Sequence, residues 1–259
     1  MRIVIKIGTS TLAHKTGRLN IRRTERLCKV MSDLKNAGHE IILVSSGAIG
    51  MGVGKLSLSE RPSDIPTKQA AAAIGQCELM YTYDKLFSQY NHTVAQILIT
   101  GEDIDHKDRR ANIQNTMFRL LELGAIPIIN ENDSIATDEI VIGDNDTLSA
   151  IVAVTVSADL LIVLSDIDGL YTSDPHKCRD ARLLHSVDKI TPEILAMTGD
   201  AGSKLGTGGM TTKIKAAAIA TDNGTDMIIA NGSDPDVLYD LVEGKDIGTR
   251  FYACKKGVK

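Results

Sequence analysis

The chain has 259 residues, 43% of them hydrophobic and 24% charged, which suits one large α/β domain or two small ones. A formal net charge of −4, no tryptophan and 3% aromatic residues give no basis for nucleic acid as the main partner. Four scattered cysteines, with no signal peptide and no membrane-length apolar segment, predict reduced thiols, a cytoplasmic location and no membrane partner.

Short β-branched segments alternate along the chain with longer segments of helical pattern. The predicted strands are Ile3–Ile7, Ile41–Val44, Val94–Ile99, Ala125–Ile129, Leu160–Leu164 and Met227–Ile229. The predicted helices lie near residues 21–37, 67–89, 108–123, 147–157 and 211–222. This alternation predicts a mostly parallel sheet with helices on both faces. We expect Thr211 and Thr212 to cap the last of these helices and Gly224 to follow its end.

Polar or glycine-rich segments follow four of the predicted strands. They read KIGTST, SSGAIGMGVG, NENDS and SDIDGLYTSDP, after the first, second, fourth and fifth strands. Ligands of parallel α/β sheets bind beyond the carboxyl ends of the strands. The sequence therefore predicts a ligand site where these four segments meet.

Two glycine-rich segments are candidates for binding an anion. SSGAIGMGVGK, residues 45–55, fits neither the Walker A pattern nor the dinucleotide-binding pattern. Its backbone after a strand could still direct N–H groups at an anion, although a flexible turn is the alternative. GTGGMTTK, residues 206–213, leads into a predicted helix and suits polyphosphate binding. Its alternative is an ordinary connection with Lys213 in solvent.

Lys6 interrupts an otherwise apolar strand, IVIKIG, immediately before a Gly-Thr turn. A charge in a buried strand is costly unless it is paired or lies at the end of the strand, where the strand meets the solvent. At the carboxyl edge, its ammonium could reach a phosphate. The alternative is a lysine on an edge strand that faces water.

The segment NENDSIATDEIVIGDND, residues 130–146, contains six acidic residues and no basic residue. A solvated acidic loop is one interpretation, and a site for ammonium groups, metal ions or phosphates is the other. Phosphoryl transfer accounts for the acidic segment together with Lys6 and Lys213, because its transition state needs positioning and positive charge. In that hypothesis the two lysines hold the phosphates, and the carboxylates orient the lysines.

These segments together resemble the amino acid kinase family, and within it the glutamate 5-kinases. The matching stretches are KIGTS (6–10), SSGAIGMG (45–52), KQAAAAIGQ (68–76), PIINENDS (127–134), GDNDTLSA (143–150), SDIDGLYTSDP (165–175) and GTGGMTTK (206–213). They follow the order of the family and extend across nearly the whole chain.

The resemblance implies a three-layer α/β/α sandwich around a mainly parallel sheet of about eight strands. It implies a single catalytic domain over residues 1–259, whose N-terminal part binds glutamate and whose C-terminal part binds ATP. The implied reaction is phosphorylation of the γ-carboxylate of L-glutamate by ATP with Mg²⁺, the first step of proline biosynthesis. No metal ligand is assigned by the resemblance.

The resemblance also implies roles for individual residues. The catalytic residues would be Lys6, Lys213 and Asp146, with Asp146 orienting the two lysines. Substrate would be bound by Ser46, Gly47, Asn130, Asp133 and Asn145. Nucleotide would be bound by Lys6, Ser165, Asp166, Thr207, Gly208, Gly209, Met210, Thr211, Thr212 and Lys213.

Some relatives carry a C-terminal PUA module, and we expect this chain to be a short form without it. The resemblance further implies feedback inhibition by L-proline and a homodimer or homotetramer. The alternatives are a kinase of the same family that acts on aspartate or N-acetylglutamate, or a nucleotide or amino-acid sensor without catalytic activity. An N-acetylated acceptor has no ammonium, so an acid-rich acceptor pocket suits free glutamate better.

Overall fold

The centre of the fold is an eight-stranded sheet. The computed structural model describes residues 1–14, 18–135, 145–175, 177–178, 180–197 and 209–254. The strands are β1 Arg2–Ile7, β2 Glu40–Ser45, β3 Val94–Ile99, β4 Ile126–Glu131, β5 Leu160–Ser165, β6 Ser186–Val187, β7 Asp226–Asn231 and β8 Thr249–Phe251. They lie in the order β3-β4-β2-β1-β5-β7-β8-β6, and only the β7–β8 pair among the described pairings is antiparallel. The predicted mainly parallel sheet is confirmed.

Helices cover both faces of this sheet. They are α1 Thr9–Leu12, α2 Ile21–Asn36, α3 Ala48–Lys55, α4 Ile65–Ser88, α5 Gly101–Asp105, α6 Lys107–Glu122, α7 Asn145–Thr155, α8 Pro192–Ala196, α9 Met210–Asp222 and α10 Val237–Val242. Within the described ranges, none of them is long and apolar enough to cross a membrane. The three-layer α/β/α arrangement expected from the sequence is confirmed.

The alternation of side chains along β1 separates two hydrophobic cores. Ile3, Ile5 and Ile7 pack in the core that contains residues of α2 and α4. Val4 packs in the other core, with residues of α7 and α9. Because side chains alternate between the faces of a strand, Lys6 lies on the same face as Val4. The lysine therefore points towards the layer formed by α7 and α9.

The six strands predicted from apolar runs all form, as do the five longer helices. The prediction missed β6 and β8, which have two and three residues. Segments this short carry too little periodicity to distinguish them from loops. The short helices α1, α5, α8 and α10 were missed for the same reason.

The flexible turn considered for SSGAIGMGVGK is wrong over most of this segment, because residues Ala48–Lys55 form α3. Its glycines allow α3 to pack directly against α4. A Cβ on Gly52 would lie 1.9 Å from the carbonyl oxygen of Ala71, and one on Gly75 of α4 would lie 1.7 Å from that of Ala48. The two backbones are in contact, so these glycines are required for packing between helices.

The expected cap of α9 is also wrong. The helix begins at Met210, and Gly209 occupies the N-cap position without a side-chain cap hydrogen bond from the described residues. Thr212 is the third residue of the helix, and its hydroxyl donates to the carbonyl oxygen of Gly209 over 2.8 Å. At the other end, Gly224 has a φ of 90° and follows the helix as predicted.

Candidate active site

Polar side chains from several parallel strands meet at the carboxyl edge of the sheet. Lys6 lies one residue before the end of β1, and Asn130 lies one residue before the end of β4. Ser46 follows β2 directly. The register places Ile7 opposite Ser45 and Val44 opposite Ile129, so these strand ends lie side by side. This is the edge at which parallel α/β sheets bind their ligands.

Lys6 is buried in the middle of the sheet. Its strand β1 pairs with β2 on one side and β5 on the other, and Lys6 is 5% exposed. The alternative of an edge-strand lysine facing water is therefore wrong. A buried ammonium needs an ionic partner, since its transfer out of water is otherwise very costly.

Asp146 supplies that partner and contacts a second lysine as well. Its Oδ1 lies 2.5 Å from Nζ of Lys6, and its Oδ2 lies 3.0 Å from Nζ of Lys213. Oγ1 of Thr212 lies 3.2 Å from the same Oδ2. We call Lys6, Asp146 and Lys213 the lysine–aspartate triad. All three side chains are buried, with Asp146 at 0% exposure and Lys213 at 5%.

Helices α7 and α9 bring Asp146 and Lys213 to Lys6. Asp146 lies in the first turn of α7, where the helix dipole favours a negative charge. The hydroxyl of Ser149 donates to the carbonyl oxygen of Asp146 over 2.6 Å. Lys213 lies in the first turn of α9, and the adjacent Ile214 packs in the core beside α7. Three elements that are distant in sequence thus meet at one carboxylate.

The electrostatics of the triad favour an ionised aspartate and an anionic ligand. Burial alone would raise the pKa of Asp146, but the charges of Lys6 and Lys213 outweigh burial and lower this pKa to about 2. Two ammonium groups and one carboxylate leave one positive charge in excess at a buried position. A buried excess charge is stabilised by a counter-ion, so the triad is suited to a phosphate or carboxylate.

A second group of polar side chains lies beside the triad, because one of its members, Asn145, directly precedes Asp146 in the sequence. Nδ2 of Asn145 donates to Oγ of Ser46 over 2.7 Å and to Oδ1 of Asn130 over 3.0 Å. It also lies 3.3 Å from the carbonyl oxygen of Ser45. The structure thus brings together three residues predicted to bind substrate: Ser46, Asn130 and Asn145.

Gly47 and Asp133 flank this group. Gly47 has a φ of 110°, a left-handed conformation that glycine adopts without strain, and it forms the N-cap of α3. Asp133 lies in the turn after β4. Burial raises the pKa of Asp133, and the charge of Arg61 only partly offsets this effect. A substrate ammonium beside this carboxylate would lower its pKa.

The predicted nucleotide-binding residues that the structure describes, apart from Lys6, lie at two positions, the end of β5 and the start of α9. Ser165 ends β5, and its Oγ lies 3.2 Å from Oδ1 of the exposed Asp166. Within the described part of the chain, no hydrogen bond or ion pair joins this pair to the triad. Gly209, Met210, Thr211 and Thr212 lie at the start of α9, next to Lys213. Thr207 and Gly208 lie outside the described residues.

Among the residues that the structure describes, no group of three His, Cys, Asp or Glu side chains could hold a metal ion. The buried carboxylate of the site, Asp146, is already paired with two lysines. This arrangement fits a divalent cation that enters on the phosphates of a nucleotide, because Mg²⁺ is commonly held by substrate phosphates and water.

Known proteins with similar sequences decide the family. The chain matches the model of the amino acid kinase family over residues 1–231. It is 55% identical to a glutamate 5-kinase of Clostridium perfringens, over 99% of this chain and 96% of that protein. The chain belongs to the amino acid kinase family. It is also 49% identical to a glutamate 5-kinase of Caldanaerobacter subterraneus, over all of this chain and 69% of that protein. Within the family it therefore belongs to the glutamate 5-kinases, as its motifs predicted.

Solved structures of other amino acid kinase folds are similar in shape. A carbamate kinase from Giardia lamblia aligns over 98% of both chains with a TM-score of 0.69 and 18% identity. A UMP kinase from Bacillus anthracis aligns over 97% of this chain and 95% of its own, with a TM-score of 0.66 and 16% identity. At these identities the likeness concerns the fold alone.

Sequence reasoning missed one residue of this candidate site and one contact of another. Gln76 lies in the segment KQAAAAIGQ and had no predicted role, although its Oε1 accepts a hydrogen bond of 2.9 Å from Nδ2 of Asn130. Thr212 was predicted to cap α9 and to bind nucleotide, and the structure adds a contact with Asp146. A polar residue that ends an Ala- and Gly-rich helical segment was the available signal for Gln76.

Proposed function

We propose that this chain transfers the γ-phosphoryl group of ATP to the γ-carboxylate of L-glutamate, which is the first step of proline biosynthesis. The observation that carries the proposal is the buried lysine–aspartate triad with its excess positive charge at the carboxyl edge of the sheet. Two relatives named glutamate 5-kinase, 55% and 49% identical to this chain, support glutamate as the acceptor.

In the proposed reaction an oxygen of the γ-carboxylate attacks the γ-phosphorus of ATP. The new bond joins carboxylate oxygen to phosphorus, and the bond from this phosphorus to the β,γ-bridging oxygen breaks. The electron pair of that bond leaves with ADP, and γ-glutamyl phosphate forms. A γ-carboxylate is already ionised at neutral pH, so no general base is needed. The protein contributes position and positive charge, as phosphoryl transfer requires.

Each member of the triad has a separate task in this proposal. Lys6 and Lys213 stabilise negative charge on the transferring phosphoryl oxygens. Asp146 accepts neither a proton nor phosphate, and instead holds the two ammonium groups apart at a fixed spacing. Its low pKa keeps it ionised throughout the neutral range.

The acceptor side of the site is proposed to consist of Ser46, Gly47, Asn130, Asp133 and Asn145. Asp133 supplies a partly desolvated carboxylate for the substrate ammonium, which its raised pKa supports. The hydrogen bonds among Ser46, Asn130 and Asn145 support a preformed pocket beside the triad.

The nucleotide side is proposed to include Ser165, Asp166 and residues 207–213. Mg²⁺, when bound with ATP, would neutralise part of the charge on the phosphates. We also propose that residues 1–259 form a single catalytic domain, which the continuous sheet supports. Inhibition by L-proline and assembly into a dimer or tetramer stay proposals that inhibition kinetics and light scattering would test.

Hydroxylamine trapping tests the reaction directly. The protein is incubated with ATP, Mg²⁺, hydroxylamine and one of L-glutamate, L-aspartate or N-acetyl-L-glutamate. Hydroxylamine converts an acyl phosphate into a hydroxamate, which forms a coloured complex with ferric ion, so we expect signal with L-glutamate and little with the other two acids. No signal with glutamate but strong signal with aspartate would refute the proposed acceptor. ATP binding without any hydroxamate would indicate a sensor instead.

A further inference from the structure

Gln76 completes a chain of side-chain amides that runs from α4 to α7. Its Oε1 accepts from Nδ2 of Asn130 over 2.9 Å, and Oδ1 of Asn130 accepts from Nδ2 of Asn145 over 3.0 Å. Gln76 is 8% exposed and Asn130 is 2% exposed. We call Gln76, Asn130 and Asn145 the amide relay.

Two backbone groups fix which way the amides of the relay point. The N–H of Glu131 donates to Oδ1 of Asn130 over 2.9 Å, so that atom must be the oxygen. The nitrogen of Asn130 is then the atom that faces Gln76. At Asn145, the carbonyl oxygen of Ser45 lies 3.3 Å from Nδ2 and favours the nitrogen in that position. The orientation of each amide thus follows from its neighbours.

This orientation leaves one unsatisfied group at each end of the relay. In the part of the chain that the structure describes, Oδ1 of Asn145 and Nε2 of Gln76 are buried and have no hydrogen-bond partner. Buried polar groups are nearly always paired in folded proteins, so a bound ligand is a candidate partner for these two atoms. An acceptor next to the triad is complementary to an ammonium group, which has only donors.

Packing between α3 and α4 places Gln76 at the strand ends. The preceding residue, Gly75, approaches the backbone of α3 so closely that a Cβ would lie 1.7 Å from the carbonyl oxygen of Ala48. Asn130 lies on the face of β4 that carries Ile126 and Ile128, the face covered by α4. The close contact between helices therefore positions the glutamine side chain against the relay.

We propose that Gln76 is a positioning residue for the amino-acid substrate. By accepting from Nδ2 of Asn130 it keeps the Asn130 side chain in the place from which Asn130 contacts Asn145, and so it keeps Oδ1 of Asn145 directed at the substrate ammonium. The inference rests on the proposed function and adds to it a source of preference for an acceptor with a free amino group. Gln76 acts through Asn130 and Asn145 and does not touch the reacting atoms.

The test compares L-glutamate with glutarate, the same dicarboxylate without an amino group, in the variant Gln76→Met. Methionine has a similar volume and cannot accept from Asn130, so Nδ2 of Asn130 loses its partner and the Asn130 side chain is no longer held against Asn145. We expect the KM for glutamate to rise roughly tenfold, as for loss of one hydrogen bond to a charged group. The inhibition constant of glutarate, the KM for ATP and kcat should each change less than about threefold, since none depends on the ammonium contact.

Gln114→Met is the matched control. Nε2 of Gln114 donates to the carbonyl oxygen of Thr155 over 2.7 Å, so this variant also loses a glutamine hydrogen bond, at a site outside the relay. We expect a lower Tm and an unchanged preference for glutamate over glutarate. Equal weakening of glutamate and glutarate by Gln76→Met would show a general disturbance and overturn the proposal, as would no weakening of either.

A second variant, Gln76→Glu, keeps an oxygen that can accept from Asn130. Gln76→Glu should retain the preference for glutamate over glutarate. If Gln76→Glu lost this preference, the proposal would be overturned, even if the methionine variant failed to fold. The wild-type protein separates the two hypotheses. Absence of glutamate hydroxamate in the wild type refutes the proposed function, whereas an active wild type with unchanged preference in Gln76→Met refutes only the role of Gln76.

Discussion

Replacing Asp146 by asparagine removes the carboxylate that lies between two buried lysines. The side chain keeps its size, so the change concerns charge. Lys6 and Lys213 then face each other across an amide that cannot neutralise them, and two positive charges remain at positions that are each 5% exposed. We expect a loss of both stability and turnover.

The magnitude follows from the pKa and the burial of Asp146. Its pKa lies at about 2 instead of the usual 3.8. That difference corresponds to roughly 2 kcal/mol of stability at neutral pH, and removing one partner of a buried pair costs about 3–5 kcal/mol. For a chain of this size, a loss of about 2–5 kcal/mol corresponds to a fall of roughly 4–20 °C in Tm. Asp146→Asn should also lower kcat by about 100-fold, because Lys6 and Lys213 would no longer be held in place.

Thermal and urea unfolding, together with the hydroxamate assay, measure these effects. The variant Asp240→Asn is the matched control, because Asp240 contacts Lys245 over 2.5 Å but both side chains are substantially exposed. It should change stability by less than about 0.5 kcal/mol. If Asp146→Asn were as stable and as active as the wild type, the argument that Asp146 holds the two lysines would be refuted.

The same pKa fixes the pH range of this effect. A carboxylate whose pKa is lowered on folding stabilises the protein above the pKa of its unfolded state, and this contribution disappears as pH falls through the folded pKa. The difference in stability between wild type and Asp146→Asn should therefore be constant above about pH 5 and shrink between about pH 4 and pH 2. An unchanged difference across that range would contradict the low pKa.

Three further predictions concern catalysis, packing and pH. Lys213→Ala should lower kcat by about 100-fold or more and change the KM for glutamate by less than about threefold, because its ammonium is proposed to act in the transition state. Gly52→Ala should lower the free energy of unfolding by more than about 2 kcal/mol, since its Cβ would meet the backbone of α4. Glutamate affinity should fall as pH falls through the raised pKa of Asp133, because protonation removes the charge that attracts an ammonium.

Each of these predictions has its own control. Lys215 is exposed on the same helix as Lys213, so Lys215→Ala should leave kcat unchanged, and equal losses in both variants would count against a special role for Lys213. A Cβ on Gly54 would meet nothing within 4 Å, so Gly54→Ala should stabilise α3 by about 0.5–1 kcal/mol. Asp133→Asn should weaken the pH dependence of glutamate affinity, and a wild-type profile in this variant would exclude Asp133 as its source.

Local hydrophobic patterns in the sequence were sufficient to predict the longer strands and most of the longer helices. Apolar, β-branched runs predicted the six longer strands, and the alternation of strands and helices predicted a parallel sheet with its site at the carboxyl edge. Lys6 was recognisable because a charge within an apolar strand is unusual. At residues 45–55 the sequence did not distinguish a loop from a helix, because the glycines suggested a flexible backbone.

The sequence by itself determined the longer strands and, through its motifs, the family, and it predicted where the candidate site lies. Tertiary structure alone decided that Asp146 lies between Lys6 and Lys213, that Gly52 and Gly75 bring two helices into backbone contact, and that Gln76 accepts a hydrogen bond from Asn130. The physical reason is the distance along the sequence over which each interaction acts. Hydrophobic periodicity acts over neighbouring residues, whereas an ion pair or an amide contact depends on how distant segments pack, and no local pattern records that distance.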